Sequence, residues 1–224
     1  MNPRQLFEQQ LRDLEQDLLR LGSLAETMMR RAIQALMEGD LQLADEVIAS
    51  DAEPDALDLE IESRCIHLLA QQQPMSKDLR VIGSILKAIS DLERIADFAV
   101  AICRATKGMG DHPPTRFLSR IPPMADQVCE MLRVTMRAFV DRDLQAVQSV
   151  GTTLDDRVDH YYHQLFTDLL PAMQREPETV VPGAYLLLIG HYLERSADHC
   201  TNVAERVHYM ETGRLKELAG NRHF

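Results

Sequence analysis

Apolar residues recur at alternating spacings of four and three from one end of a long stretch to the other: Phe7, Leu11, Leu14, Leu18, Leu21, Ala25, Met28, Ala32 and Ala35. A heptad seam sustained for about four repeats has one economical reading, a long helix that packs lengthwise on neighbouring helices. Asn2 is placed as its N-cap and Pro3 at its first helical position. Gly39 ends it, and Asp40 is suited to cap a second helix running to about Gln73. The string "QQQPM" is a stop, and Ser76 is read as the cap of a third helix that ends near "KGMG".

Residues 108–123, "GMGDHPPTRFLSRIPP", carry two close glycines and two proline pairs, through which no helix is expected to continue. The plan then repeats, with helices over about Pro123–Asp141, Asp143–Met173 and Glu178–Thr212, the string "PAMQREPETVVPG" being the turn between the last two. The copies also share strings. "GDLQLADEVIASDAEPD" aligns with "RDLQAVQSVGTTLDDRVD" after one inserted residue, and "LERIAD" with "LERSAD". The expected fold is all-α, a tandem repeat of two three-helix bundles built from six long helices. Residues 1–110 form the first bundle, 111–122 a linker, 123–212 the second bundle, and 213–224 a tail expected to fray. Composition agrees: 45% of the 224 residues are hydrophobic, only 5% aromatic, and Trp is absent, a balance that suits helices better than a β-sandwich.

A formal net charge of −11 argues against nucleic acid and against direct docking on anionic lipid, since both need clustered Lys and Arg. No apolar run approaches the ~20 residues of a membrane span, and the charged start lacks a signal-peptide core. A cytoplasmic setting is expected. The four cysteines form no CxxC pair and read as small buried thiols in a reducing compartment.

Two acidic pairs stand where packing residues are expected. In "SDLERIADFAVAICR", Glu93 and Asp97 fall in line with Leu79, Ile82, Leu86 and Val100. Their counterparts in "HYLERSADHCTNVAER", Glu194 and Asp198, flank the apolar arc instead of sharing it. The second helix carries Asp51, Asp55, Asp58 and Glu62 on one face, and the fifth carries Asp155 and Asp159, followed on that line by Tyr162 and Phe166. Each copy thus offers two i, i+4 carboxylate pairs from adjacent helices. Like charges so spaced destabilise a helix, and clustered carboxylates suit hard cations. Pro54 is expected to bend its helix and re-aim Asp51.

With these motifs assembled, the chain resembles the PhoU family, regulators of bacterial phosphate uptake. "QQPMSKDLRVIGSILKAISDLERIAD" and "YLLLIGHYLERSADHCTNVAER" are similar to the family's third and sixth helices. The resemblance implies that Asp51, Asp55, Glu93, Asp97, Asp155, Asp159, Glu194 and Asp198 fill the family's repeated E(D)xxxD motifs, which hold divalent or trivalent metal ions: iron, zinc, manganese or magnesium. It implies a cytoplasmic homodimer or larger assembly without catalytic activity, which damps phosphate uptake and the starvation response. The implied partners are the ATPase side of a phosphate ABC transporter and the PAS domain of a sensor histidine kinase, the membrane being reached only through them. The usual motif reads close to "LERIGDHAxNI". Here Ala96, Phe98 and Ala101 depart from it in the first copy, whereas the second keeps His199 and Asn202 but has Ser196 and Ala197.

Two other readings fit the residues. A metal-free helical adaptor would use the acidic lines to bind basic partner surfaces. A di-iron carboxylate enzyme would need Glu-x-x-His on two helices, and one such string is present, "ERVH", Glu205–His208. No glycine-rich phosphate loop accompanies either.

Overall fold

The computed structural model describes residues 3–110 and 115–218, and their regular structure is helical throughout. Helix α1 (Pro3–Glu38) is followed by α2 (Leu41–Ala49), α3 (Ala52–Gln72), α4 (Ser76–Met109), a short α5 (Thr115–Leu118), α6 (Ile121–Asp141), α7 (Leu144–Ser149), α8 (Asp155–Arg175) and α9 (Val180–Thr212). Helices α2 and α3 make one rod with a break, and α7 and α8 make another. Six rods therefore form two three-helix copies, as the repeated pattern predicts.

The seam residues Phe7, Leu14, Leu18, Leu21, Ala25, Met28, Ala32 and Ala35 are all buried, with Leu11 half-buried against them. Gly39, at φ +66°, ends α1 in the left-handed region that glycine tolerates best. The Asp40 carboxylate then accepts the Leu43 N–H at 2.9 Å, and in the second copy Asp143 accepts those of Gln145 and Ala146. Both caps satisfy amides that the first helical turn leaves open.

The inserted residue of the second copy has a definite form. Between α7 and α8 the backbone makes a π turn over Val150–Leu154, the usual way for a helix to absorb one extra residue. The first copy instead breaks at Ser50 and Asp51, and Pro54 occupies the first turn of α3, where its missing N–H costs little.

Helices α4 and α9 run antiparallel through the centre and join the copies. Arg80 Nε donates to the Met210 carbonyl at 3.1 Å and Ser84 Oγ to that of Arg206 at 3.1 Å. Midway, the Asp91 carboxylate meets His199 Nδ1 at 2.8 Å and accepts the Asn202 amide at 3.1 Å. Further along, the rings of Phe98 and Tyr192 stack with centroids 5.7 Å apart. Ion pairs of Arg142 with Glu15 and of Arg133 with Glu26 also cross between copies. One continuous apolar core therefore runs through both.

Four local expectations are corrected. Ser76 is the first residue of α4, not its cap, and no side chain caps that end. The proline pair Pro122–Pro123 lies inside the first turn of α6, which begins at Ile121. Pro171 lies within α8 and Pro182 in the first turn of α9, so the turn between them shrinks to Glu176–Thr179. The tail does not fray as far as Leu218, which is buried. The Asn2 cap, residues 111–114 of the linker and residues 219–224 of the tail lie outside the described residues.

Candidate functional site

In the first copy, α3 and α4 bring the predicted carboxylates together. Burial, then the charges of Asp55 and Asp97, pushes the Asp51 carboxyl above its ordinary range. Burial, then Asp97, does the same for Glu93, with Asp55 and Asp58 adding to it against the pull of Arg94. Asp58 is raised by burial and by Glu62 and Asp55. Asp51 Oδ1 and Asp58 Oδ1 are both buried acceptor atoms without a hydrogen-bond partner. Asp55 is exposed at the rim, and Arg94 pairs with Asp97 at 2.9 Å.

The second copy encloses its acids more tightly. Glu194 is 5% exposed, Asp198 7% and Asp155 6%. The expectation that Glu194 and Asp198 merely flank the apolar arc is corrected: α9 is buried against α4 on one side and against α6 and α8 on the other, so the arc's edges lie inside. Asp155 accepts the Thr201 hydroxyl at 3.4 Å, His191 Nδ1 stands 3.4 Å from Glu194, and Arg195 pairs with Asp198 at 3.4 Å. Tyr162, where the first copy has Asp58, lies beside Glu194, and burial with that charge raises its hydroxyl. Asp159 sits one turn beyond Asp155 on the exposed side of α8.

The two copies therefore use one motif differently. In both, the arginine after the glutamate reaches the aspartate three residues on, a pairing that adjacency in sequence hides. Among the described residues no three His, Cys, Asp or Glu side chains form a ready cation cage. The orphaned oxygens of Asp51 and Asp58 are nonetheless the acceptors that a hard cation takes. These acceptors are of the type such an ion takes, but among the described residues the carboxylates of α3 and α4 do not converge on one point.

These raised pKa values fix the sign of a pH effect. A carboxyl whose pKa is raised on folding carries a charge penalty that is absent below its unfolded value and full above its folded one. Asp58→Asn is therefore expected to stabilise the metal-free protein at pH 7 by about 0.5 kcal/mol after solvent screening. That gain corresponds to about 1–2 °C in Tm, and it should vanish as pH falls through the ordinary carboxylate range. Calorimetry at several pH values checks it.

Sequence reasoning missed Asp91 and Thr201. Asp91 has the buried Ala88 and Ile95 at i−3 and i+4, the signature of a carboxylate within a packing stripe. The four cysteines are buried free thiols, with burial pushing Cys65 up to about 12 and Cys103 and Cys129 up to about 11. The "ERVH" string faces the tail: Glu205 accepts the Leu218 N–H, and His208 Nδ1 meets the Arg214 carbonyl.

Tandem helical copies with paired acids on matching helices define a duplicated three-helix class, and comparison places it. The PhoU domain is matched twice, over residues 18–106 and 121–207, and the chain belongs to the PhoU family. A phosphate-specific transport system accessory protein PhoU homolog of Clostridium acetobutylicum is 35% identical over 96% of this chain and 98% of its own length. That of Synechocystis sp. is 37% identical over 95% of each chain. The crystal structure of PhoU from Pseudomonas aeruginosa superposes with a TM-score of 0.88 at 31% identity, covering 93% of this chain and all of that one. The phosphate transport system regulatory protein PhoU from Streptococcus pneumoniae gives 0.86 at 31%, over 94% and 99%. Among the described residues, no helix is long and apolar enough to cross a membrane.

Proposed function

We propose that this chain is a negative regulator of phosphate uptake and of the phosphate-starvation response. It acts in the cytoplasm as a homodimer, without catalysis, between the ATPase side of a phosphate ABC transporter and the PAS domain of a sensor histidine kinase. It reaches the membrane only through these partners. The observation that carries the reading is the pair of PhoU domains spanning both copies, in a chain whose relatives are named as accessory proteins of the phosphate-specific transport system. Divalent or trivalent cations are held by Asp51, Asp55, Glu93 and Asp97 in the first copy and by Asp155, Asp159, Glu194 and Asp198 in the second. Their role is to compensate carboxylates gathered between adjacent helices.

The test is deletion of the gene in its own host under ample phosphate. Phosphate-starvation genes are expected to switch on without starvation, and the intact gene to silence them again. Continued silence with unchanged phosphate uptake would overturn the reading.

A second reading has its own support. Arg94, Arg195 and His191 already stand against motif carboxylates, so the chain's own side chains offset part of this charge without a cation. The di-iron alternative gains nothing, because Glu205 and His208 are engaged with the tail.

A further inference from the structure

After Gly213, at φ +72°, closes α9, the chain folds back along that helix. The Arg214 N–H donates to Thr212 Oγ1 at 3.1 Å, and Lys216 Nζ donates to Gln148 Oε1 on α7 at 2.9 Å. The Leu218 N–H donates to Glu205 Oε1 at 2.9 Å, and the Leu218 side chain is only 4% exposed, whereas Leu215 is 70% exposed. The seat of Leu218 is Gly151, inside the π turn. A Cβ on residue 151 would lie 2.3 Å from Leu218 Cβ and 3.1 Å from its carbonyl carbon. Glycine weakens a helical segment, so its presence here answers to close packing. The aligned first-copy positions carry Val47 and Ile48, and no such notch is repeated there.

The notch is connected to the acids of the second copy. Asp155 directly follows the π turn and bonds Thr201 on α9, one turn before Glu205. Leu218 thus ties Gly151 to Glu205, and each of these lies four residues from a member of the Asp155–Thr201 pair.

We propose that this surface is a docking notch for a leucine-anchored extended segment, and that its occupant is the chain's own tail, Arg214–Leu218. The docked tail is a strap: it holds the π turn closed and so positions the Asp155 carboxylate. The proposal stands apart from the cation reading, since every contact in it is made by the chain itself.

The test uses the full chain with Gly151→Ala, which fills the notch and favours helix, and independently Leu218→Ala, which removes the anchor. Tryptic cleavage after Arg214 is the first readout. Amide hydrogen exchange over 150–158, with 41–56 as internal reference, is the second. Both variants are expected to speed cleavage about tenfold or more, the scale of one buried leucine, and Leu218→Ala, which leaves the sequence of 150–158 unaltered, to raise exchange over 150–158 alone. Equal cleavage in the unaltered chain and both variants would show that the strap is not docked. Faster cleavage with unchanged exchange over 150–158 would show a docked tail that positions nothing. Either result overturns the proposal.

Discussion

Residues 1–110 expressed alone are expected to be neither monomeric nor stably folded, although they hold a complete three-helix copy. Helix α4 is buried in adjacent pairs along its length, at Val81 and Ile82, Ser84 and Ile85, Ala88 and Ile89, Ile95 and Ala96, and Ala99 and Val100. A helix serving one bundle needs one apolar stripe. This one is apolar on two sides because α9 covers the second. Uncovering that side exposes several large side chains worth about 1.5–3 kcal/mol each, which together rival a domain's stability of about 5–15 kcal/mol. It also strips Asp91 of His199 and Asn202. Light scattering should show self-association, and co-expression with residues 111–224 should restore a one-to-one complex. A monomeric first copy melting cooperatively near the temperature of the whole chain would refute the shared core.

The second large effect concerns the acids. Combining Glu93→Gln, Asp97→Asn, Glu194→Gln and Asp198→Asn is expected to bring bound metal to background while leaving helix content intact. Elemental analysis and circular dichroism read the two quantities. The adaptor reading expects unchanged metal content and a salt-dependent loss of partner binding. If both metal content and partner binding survive, these carboxylates are not the site under either reading.

Much of this architecture is legible in the sequence because its signals are local. The α1 seam, the Asp40 cap and the repeated strings each depend on a few neighbouring residues. The misreadings share one cause. A helical wheel assigns each helix a single buried arc, but α9 packs on two sides, so Glu194 and Asp198 read as marginal and prove enclosed. The prolines misled for a related reason: Pro122, Pro123 and Pro182 occupy first turns, where a missing N–H is tolerated. The contacts of the tail and of Asp91 are non-local, between residues with no shared period.

The π turn bears on how a duplicated protein can diverge. One extra residue in an unbroken α-helix rotates everything beyond it by about 100°, which would swing Asp155 away from Thr201 on α9. Widening a single turn swallows the insertion, and the carboxylates downstream keep their phase. The second copy thus differs in length without surrendering its register, and two halves of unequal count still carry their acidic pairs at matching places.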